Sequence, residues 1–256
     1  MYIAKKMKWY LIWLSIFFMA GSSCHRSVNE RIVIVNIGNM QAVEVAEVVK
    51  TLTQGNPEVV ALDFALGDDH DEETALSIRT NLESCQKLVL PTVLRNITLP
   101  RFLVMLTAGP ELIPEHAATG FVTNPSHDEK VAPNQILTKV EPSHGFGEEY
   151  HFAVRTVMLY DSLVAQEFIT CHPEKFPINF DRKGTFEVLE YQDVLHSKFN
   201  GGEFRGRIVL IGYTGPDNID KYYTNFKKVN GDSPDMYGIE FHANVIAQIL
   251  ESSSCR

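Results

Sequence analysis

The sequence predicts an α/β protein built on a doubly wound, mostly parallel sheet with a Pro/Gly-rich inserted excursion in the middle. Three observations carry that expectation. Residues 208–211, Ile-Val-Leu-Ile, are an unbroken apolar run, which suits a strand covered on both faces. The amino-terminal third alternates strand-like runs with amphipathic stretches at the spacing of right-handed βαβ crossovers. Residues 237–250 carry Phe241, Val245 and Ile249 at helical spacing, with Ile246 and Leu250 beside them, and so predict a closing helix.

The amino terminus predicts export. Lys5, Lys6 and Lys8 precede an uncharged run over 9–20, followed by Gly21, Ser22, Ser23 and Cys24. A basic region, a short apolar region and small residues are the parts of an export signal. The run is shorter than the roughly 20 residues that span a bilayer. Residues 1–23 are therefore expected to be a signal of the lipoprotein type, with Cys24 the lipidated residue. An ordinary cleaved signal, an uncleaved anchor and a cytoplasmic protein are the alternatives. Residues 24–30 read as a linker, 31–251 as one domain and 252–256 as a tail.

The net charge of −9 becomes −12 once the three lysines of the signal are removed. So acidic a surface repels nucleic acid and anionic lipid headgroups. If Cys24 is lipidated, Cys85, Cys171 and Cys255 remain, and an odd number leaves at least one free or paired with another molecule. Cys85 and Cys171, each at the end of an expected helix, read as buried small hydrophobes.

From residue 31 the elements follow in order. A strand over 32–37 leads to a helix over 41–54, whose Val45, Val48, Val49 and Leu52 form an apolar stripe opposite Glu44, Glu47 and Lys50. Gly55, Asn56 and Pro57 end it. A strand over 59–64, a helix over 72–85 and a strand over 88–94 complete the alternation. The segment 67–73 holds five carboxylates and a histidine, enough on paper for a metal site, but acids at a helix start are more simply a cap. From 99 to 149 prolines and glycines recur, and the pieces 102–106, 120–123 and 135–140 read as strands of an added hairpin or edge. A single, largely apolar helix is expected over 150–168.

The strand, loop and helix from Arg207 to Leu250 resemble the carboxyl-terminal half of the second type of CHASE domain, the cyclase and histidine-kinase associated sensory extracellular module of bacterial receptors. The runs 31–38 (Arg-Ile-Val-Ile-Val-Asn-Ile-Gly), 59–65 and 87–94 resemble that family's first three strands. The segments 176–180 and 191–195 resemble the pieces before its last strand. The resemblance implies a sensory role, and it departs from the family at Asn36, where relatives usually carry an acid, and in the short turn before the first helix. Relatives are also followed by membrane-spanning helices and a cytoplasmic output module, whereas this chain stops at Arg256. A separate membrane or envelope signalling protein is therefore the expected partner, with a decayed receptor as a further alternative.

Ligands of open α/β sheets sit at the carboxyl ends of the strands. That edge holds Asn36, Asn39, Asp63, Thr214, Asp217 and Asp220, the candidate residues for an unknown small ligand, with Tyr222 and Tyr223 in the same loop. The sequence has no GxSxG, no GxxxxGK[ST] and no GxGxxG after its first strand. No enzyme activity, cofactor or metal is therefore expected; His127, His144 and His151 have no ligand spacing. A docking module for an envelope protein, and a periplasmic enzyme using Asp63 with Asp217 or Asp220 as acid and base, are the competing readings.

Overall fold

A computed structural model describes residues 27–98, 101–122, 135–140, 147–180, 184–199, 201–217, 220–222 and 236–252. The expected signal, Cys24, His127, His144, Tyr223 and Cys255 lie outside the described residues.

After a 3-10 turn at Asn29–Arg31 come β1 (Ile32–Asn36), α1 (Ala42–Thr53), β2 (Val59–Leu62), α2 (Glu72–Glu83) and β3 (Leu88–Thr98). Next are β4 (Arg101–Leu106), β5 (Ala118–Phe121), β6 (Gln135–Leu137), β7 (Lys139–Val140) and β8 (Glu149–Tyr150). The chain continues through α3 (Phe152–Tyr160), α4 (Ser162–Cys171), β9 (Lys175–Pro177), β10 (Glu187–Glu190) and α5 (Tyr191–His196). It closes with β11 (Ile208–Gly212), β12 (Lys221–Tyr222), β13 (Met236–Tyr237) and α6 (Gly238–Glu251).

Seven strands form one sheet in the order β10-β1-β11-β2-β3-β4, with β5 also paired to β3. Every pairing in it is parallel except β3 with β4. The 208–212 strand is thus inserted between β1 and β2, at the centre of the sheet. Because side chains alternate across a strand, Val33, Val35, Val60, Leu62, Val209 and Ile211 face α1, α2 and α5. Their neighbours Ile32, Ile34, Val59, Ala61, Ile208 and Leu210 face α3, α4 and α6. The result is a three-layer sandwich whose central strands are apolar on both sides.

Local chemistry explains the element ends. Asp71 caps α2 by accepting from Thr74 N at 2.8 Å, and Glu72 and Glu73 follow in the first turn. The acidic stretch therefore serves the helix dipole, and the Thr74 amide holds the Asp71 carboxyl below its usual range. Glu44 accepts from Gln41 N at 2.8 Å at the start of α1, and Glu240 from Tyr237 N at 3.2 Å at the start of α6. Glu187 and Glu190 frame the exposed edge strand β10, which discourages pairing with another sheet.

Two expectations need correction. The helix expected over 150–168 is two helices. Asp161, extended at φ −146 and ψ 95, ends α3 and caps α4 through Leu163 N and Val164 N, each at 3.2 Å. Apolar periodicity runs through this joint undisturbed, because an aspartate that caps costs the pattern only one position. Cys171 is no buried hydrophobe; it is half-buried and disulfide-bonded, whereas Cys85 is buried and free. In α6, Ile239 and 241–247 are buried, with Ile249, against α3 and α4. In the Pro/Gly-rich middle, β4 and β5 join the main sheet as hairpin and edge, while β6 pairs with β9 and β7 with β8 in small separate ribbons.

Candidate functional site

Register brings the candidate edge together. Asn36 lies opposite Gly212, and Ile211 opposite Leu62, so the carboxyl ends of β1, β11 and β2 are adjacent. Chain continuations carry the ladder on: Ile37 N donates to Gly212 O at 3.1 Å, and Asp63 N to Ile211 O at 2.8 Å.

Asn36 is buried and ties three turns together. Its Oδ1 accepts from Gly38 N at 3.1 Å and from Thr214 N at 2.9 Å, and its Nδ2 donates to Glu190 Oε2 at 2.9 Å. An aspartate would keep both acceptor roles but would set a carboxylate against Glu190. Asn39 is exposed in the turn after β1. Asp217 is exposed on the other rim, beside Tyr213, whose hydroxyl it pushes above its ordinary pKa.

Asp63 and Asp220 lie deeper. The Asp63 side chain is 17% exposed, and its Oδ2 stands 3.7 Å from His242 Nε2 on α6. Asp220 packs its carboxylate against the first residue of that helix: a Cβ built on Gly238 would come within 2.7 Å of Asp220 Oδ2. Gly238 N also donates to the Asp220 carbonyl at 3.1 Å. Positions 238 and 242 are one turn apart on one face, so the two carboxyls approach the same side of the helix start. Burial, and then the Asp220 charge, pushes the Asp63 carboxyl up to about 8. Burial raises Asp220 to about 6, opposed by the Gly238 amide. The helix amino terminus favours a carboxylate there.

Two residues of this cluster escape a reading of the sequence as a site. His242 is buried, and burial lowers it to about 3; His151 is buried with its ring 5.4 Å away and is held well below its usual value by the same cause and by His242. The signal for His242 was present, since it stands four residues before Ile246 and seven before Ile249 on the apolar face of a helix, where an imidazole becomes a buried titratable group. The candidates therefore divide. Asn36 and Thr214 are bonded to each other, Asp63 and Asp220 interact electrostatically, and Asn39 and Asp217 stand on the rims.

A cavity of about 240 Å³ lies at the opposite, amino-terminal end of the strands, lined by Thr53, Asn56, Glu58, Ser84, Cys85 and Lys87 among others. Lys87 pairs with Glu58 at 2.5 Å across it. Among the described residues, no group of three His, Cys, Asp or Glu side chains is arranged to hold a metal ion, and no helix is long and apolar enough to cross a membrane.

The family model for the CHASE2 domain matches residues 25–256. Comparison with curated proteins and with solved structures finds no match.

Proposed function

The chain belongs to the CHASE2 domain family, a family of extracellular sensory domains, and from that premise we propose that it senses a small ligand at the carboxyl edge of β1, β11 and β2. The observation that carries this reading is the insertion of β11 between β1 and β2. It sets Asn36, Thr214, Asp63 and Asp220 side by side at the edge where open α/β sheets take ligands. Asn39 and Asp217 on the rims complete the contact set. Asp63, kept protonated by burial, offers a hydrogen-bond donor, and Asp220 offers an acceptor. A change at either reaches α6 directly, through Gly238 and His242. In this reading the protein is exported, is lipid-anchored at Cys24, and passes the movement of α6 to a separate membrane signalling protein. It performs no catalysis and needs no cofactor.

The test is thermal melting of the mature domain, with Cys24→Ser, against small metabolites, nucleotides and divalent ions at fixed pH. A ligand that binds only the folded protein adds about 2.7 kcal/mol of stability at a hundredfold excess over its dissociation constant. The expected result is one compound that raises the midpoint and loses its effect in Asp63→Asn or Asp217→Asn. No shift with any compound turns the choice to a docking module, to be checked by capture from membranes.

A further inference from the structure

Four titratable side chains converge on the first two turns of α6. His242 is 3% exposed, and its Nδ1 is buried without a partner. Its Nε2 stops 3.7 Å from Asp63 Oδ2, beyond hydrogen-bond reach. Asp220 closes the helix start at Gly238. His151, 2% exposed, lies behind His242, and Phe121, Phe152 and Phe241 pack edge-on or tilted around the two imidazoles.

The other charged groups on the surrounding elements are engaged elsewhere. Glu240 of α6 accepts from Tyr237 N at 3.2 Å, and Lys221 Nζ sits 4.6 Å from the centre of the Tyr237 ring. On α3, Arg155 donates to Thr119 O at 2.9 Å and stands 3.8 Å from Glu149. Among the described residues, His242 is the partner in the one ion-pair contact of Asp63, and no Lys or Arg pairs with Asp63 or Asp220. Among the described residues, two part-buried carboxyls and two buried imidazoles are thus held together without a fixed counter-charge, an arrangement costly to keep unless it serves a purpose.

We propose that Asp63, Asp220, His242 and His151 form a proton-operated latch between the end of β2 and the first turns of α6, through which this domain reads the pH of the compartment it faces. The inference rests on the sensory reading of this edge. With Asp63 protonated and both imidazoles neutral, the site holds one carboxylate, Asp220, at the helix amino terminus. Raising the pH takes the Asp63 proton to solvent and leaves two carboxylates against α6 beside an imidazole that burial keeps uncharged. Opening of the first turns gives Asp63 water and its ordinary acidity, so opening releases a proton. The opening equilibrium therefore rises about tenfold per pH unit up to the folded value near 8, then levels off.

Hydrogen exchange followed by mass spectrometry from pH 6.5 to 9, corrected for intrinsic exchange, tests this on the mature domain. Peptides over 238–246 are expected to lose about tenfold protection per pH unit to pH 8 through openings that low urea does not promote, whereas any loss over 208–212 grows with urea as global unfolding does, and Asp63→Asn is expected to abolish the slope. A slope that survives Asp63→Asn, or one over 238–246 with the same urea dependence as 208–212, overturns the latch. If Asp63→Asn does not fold, ¹³C titration of aspartate carboxyls in the unaltered protein decides. An aspartate carboxyl titrating above pH 7 upholds the latch, and none above pH 7 overturns it. A flat exchange profile with a ligand shift at fixed pH removes the latch alone, whereas a pH slope without any ligand shift removes the ligand-binding reading alone.

Discussion

The sharpest consequences fall on single side chains. Asn36→Ala removes three hydrogen bonds and leaves Gly38 N and Thr214 N without their partner. Net bonds are worth about 1 kcal/mol each, and buried orphans cost more, so a loss of about 2–3 kcal/mol is expected by urea denaturation. Asn36→Asp keeps the acceptors but opposes Glu190. It should lose stability at pH 7.5 and recover much of it at pH 4.5, where one carboxyl of the pair takes a proton. Equal losses at both values would show that charge is not the cause. Asn36 could be placed on the strand edge from the sequence. Two of its three partners, Glu190 and Thr214, lie 154 and 178 positions away, and no local pattern encodes them.

Elements meet where glycines allow it. A Cβ at Gly120 on β5 would come within 2.7 Å of Phe152 Cα, which is backbone of α3 and cannot swing aside. One at Gly212 on β11 would come within 2.9 Å of Ile239 Cβ on α6. Overpacking of this kind costs about 1–3 kcal/mol, so Gly120→Ala and Gly212→Ala should each lower the denaturation midpoint, Gly120→Ala by more. The joint at Asp161 gives a smaller effect. Asp161→Ala forfeits the α4 cap, at a cost of about 1 kcal/mol, measurable in the same experiment. β10 shows the limit of pattern reading at this scale. Its residues Glu-Val-Leu-Glu form a partly exposed edge strand, so neither an apolar run nor a buried alternation announces it.

For the whole molecule, the buried cluster predicts an unusual dependence of stability on pH. Asp63 has a folded value near 8 against an ordinary value near 4. The folded state therefore holds a proton that the unfolded chain has lost, and stability falls as pH rises from about 4 to 8. His242 has the opposite sign. Its depressed value near 3 lets the unfolded chain take up a proton below about 6.5, so stability falls with further acidification. His151 acts in the same sense. Asp63→Asn should remove the alkaline loss, raising stability at pH 8 by on the order of 2 kcal/mol or more relative to the unaltered protein. A variant with an unchanged profile between pH 6.5 and 8 would mean that Asp63 is ionised in the fold.

The sequence by itself determined the layers of this protein. The apolar runs at 32–35, 59–62, 88–90 and 208–211 and the amphipathic stretch at 42–53 declare strands and a helix, because secondary structure follows from periodicity within a few neighbouring residues. The candidate edge was legible for the same reason: Asn36, Asp63 and Thr214 stand just where the apolar runs stop. Only the tertiary structure decided that β11 enters between β1 and β2, that α3 and α4 cover α6, and that His242 and His151 stand behind Asp63 and Asp220. Strand order and the company of a buried side chain are set by long-range packing, in which residues more than 150 positions apart become neighbours. That packing, more than the acids themselves, is what moves Asp63 and His242 away from their ordinary ionisation.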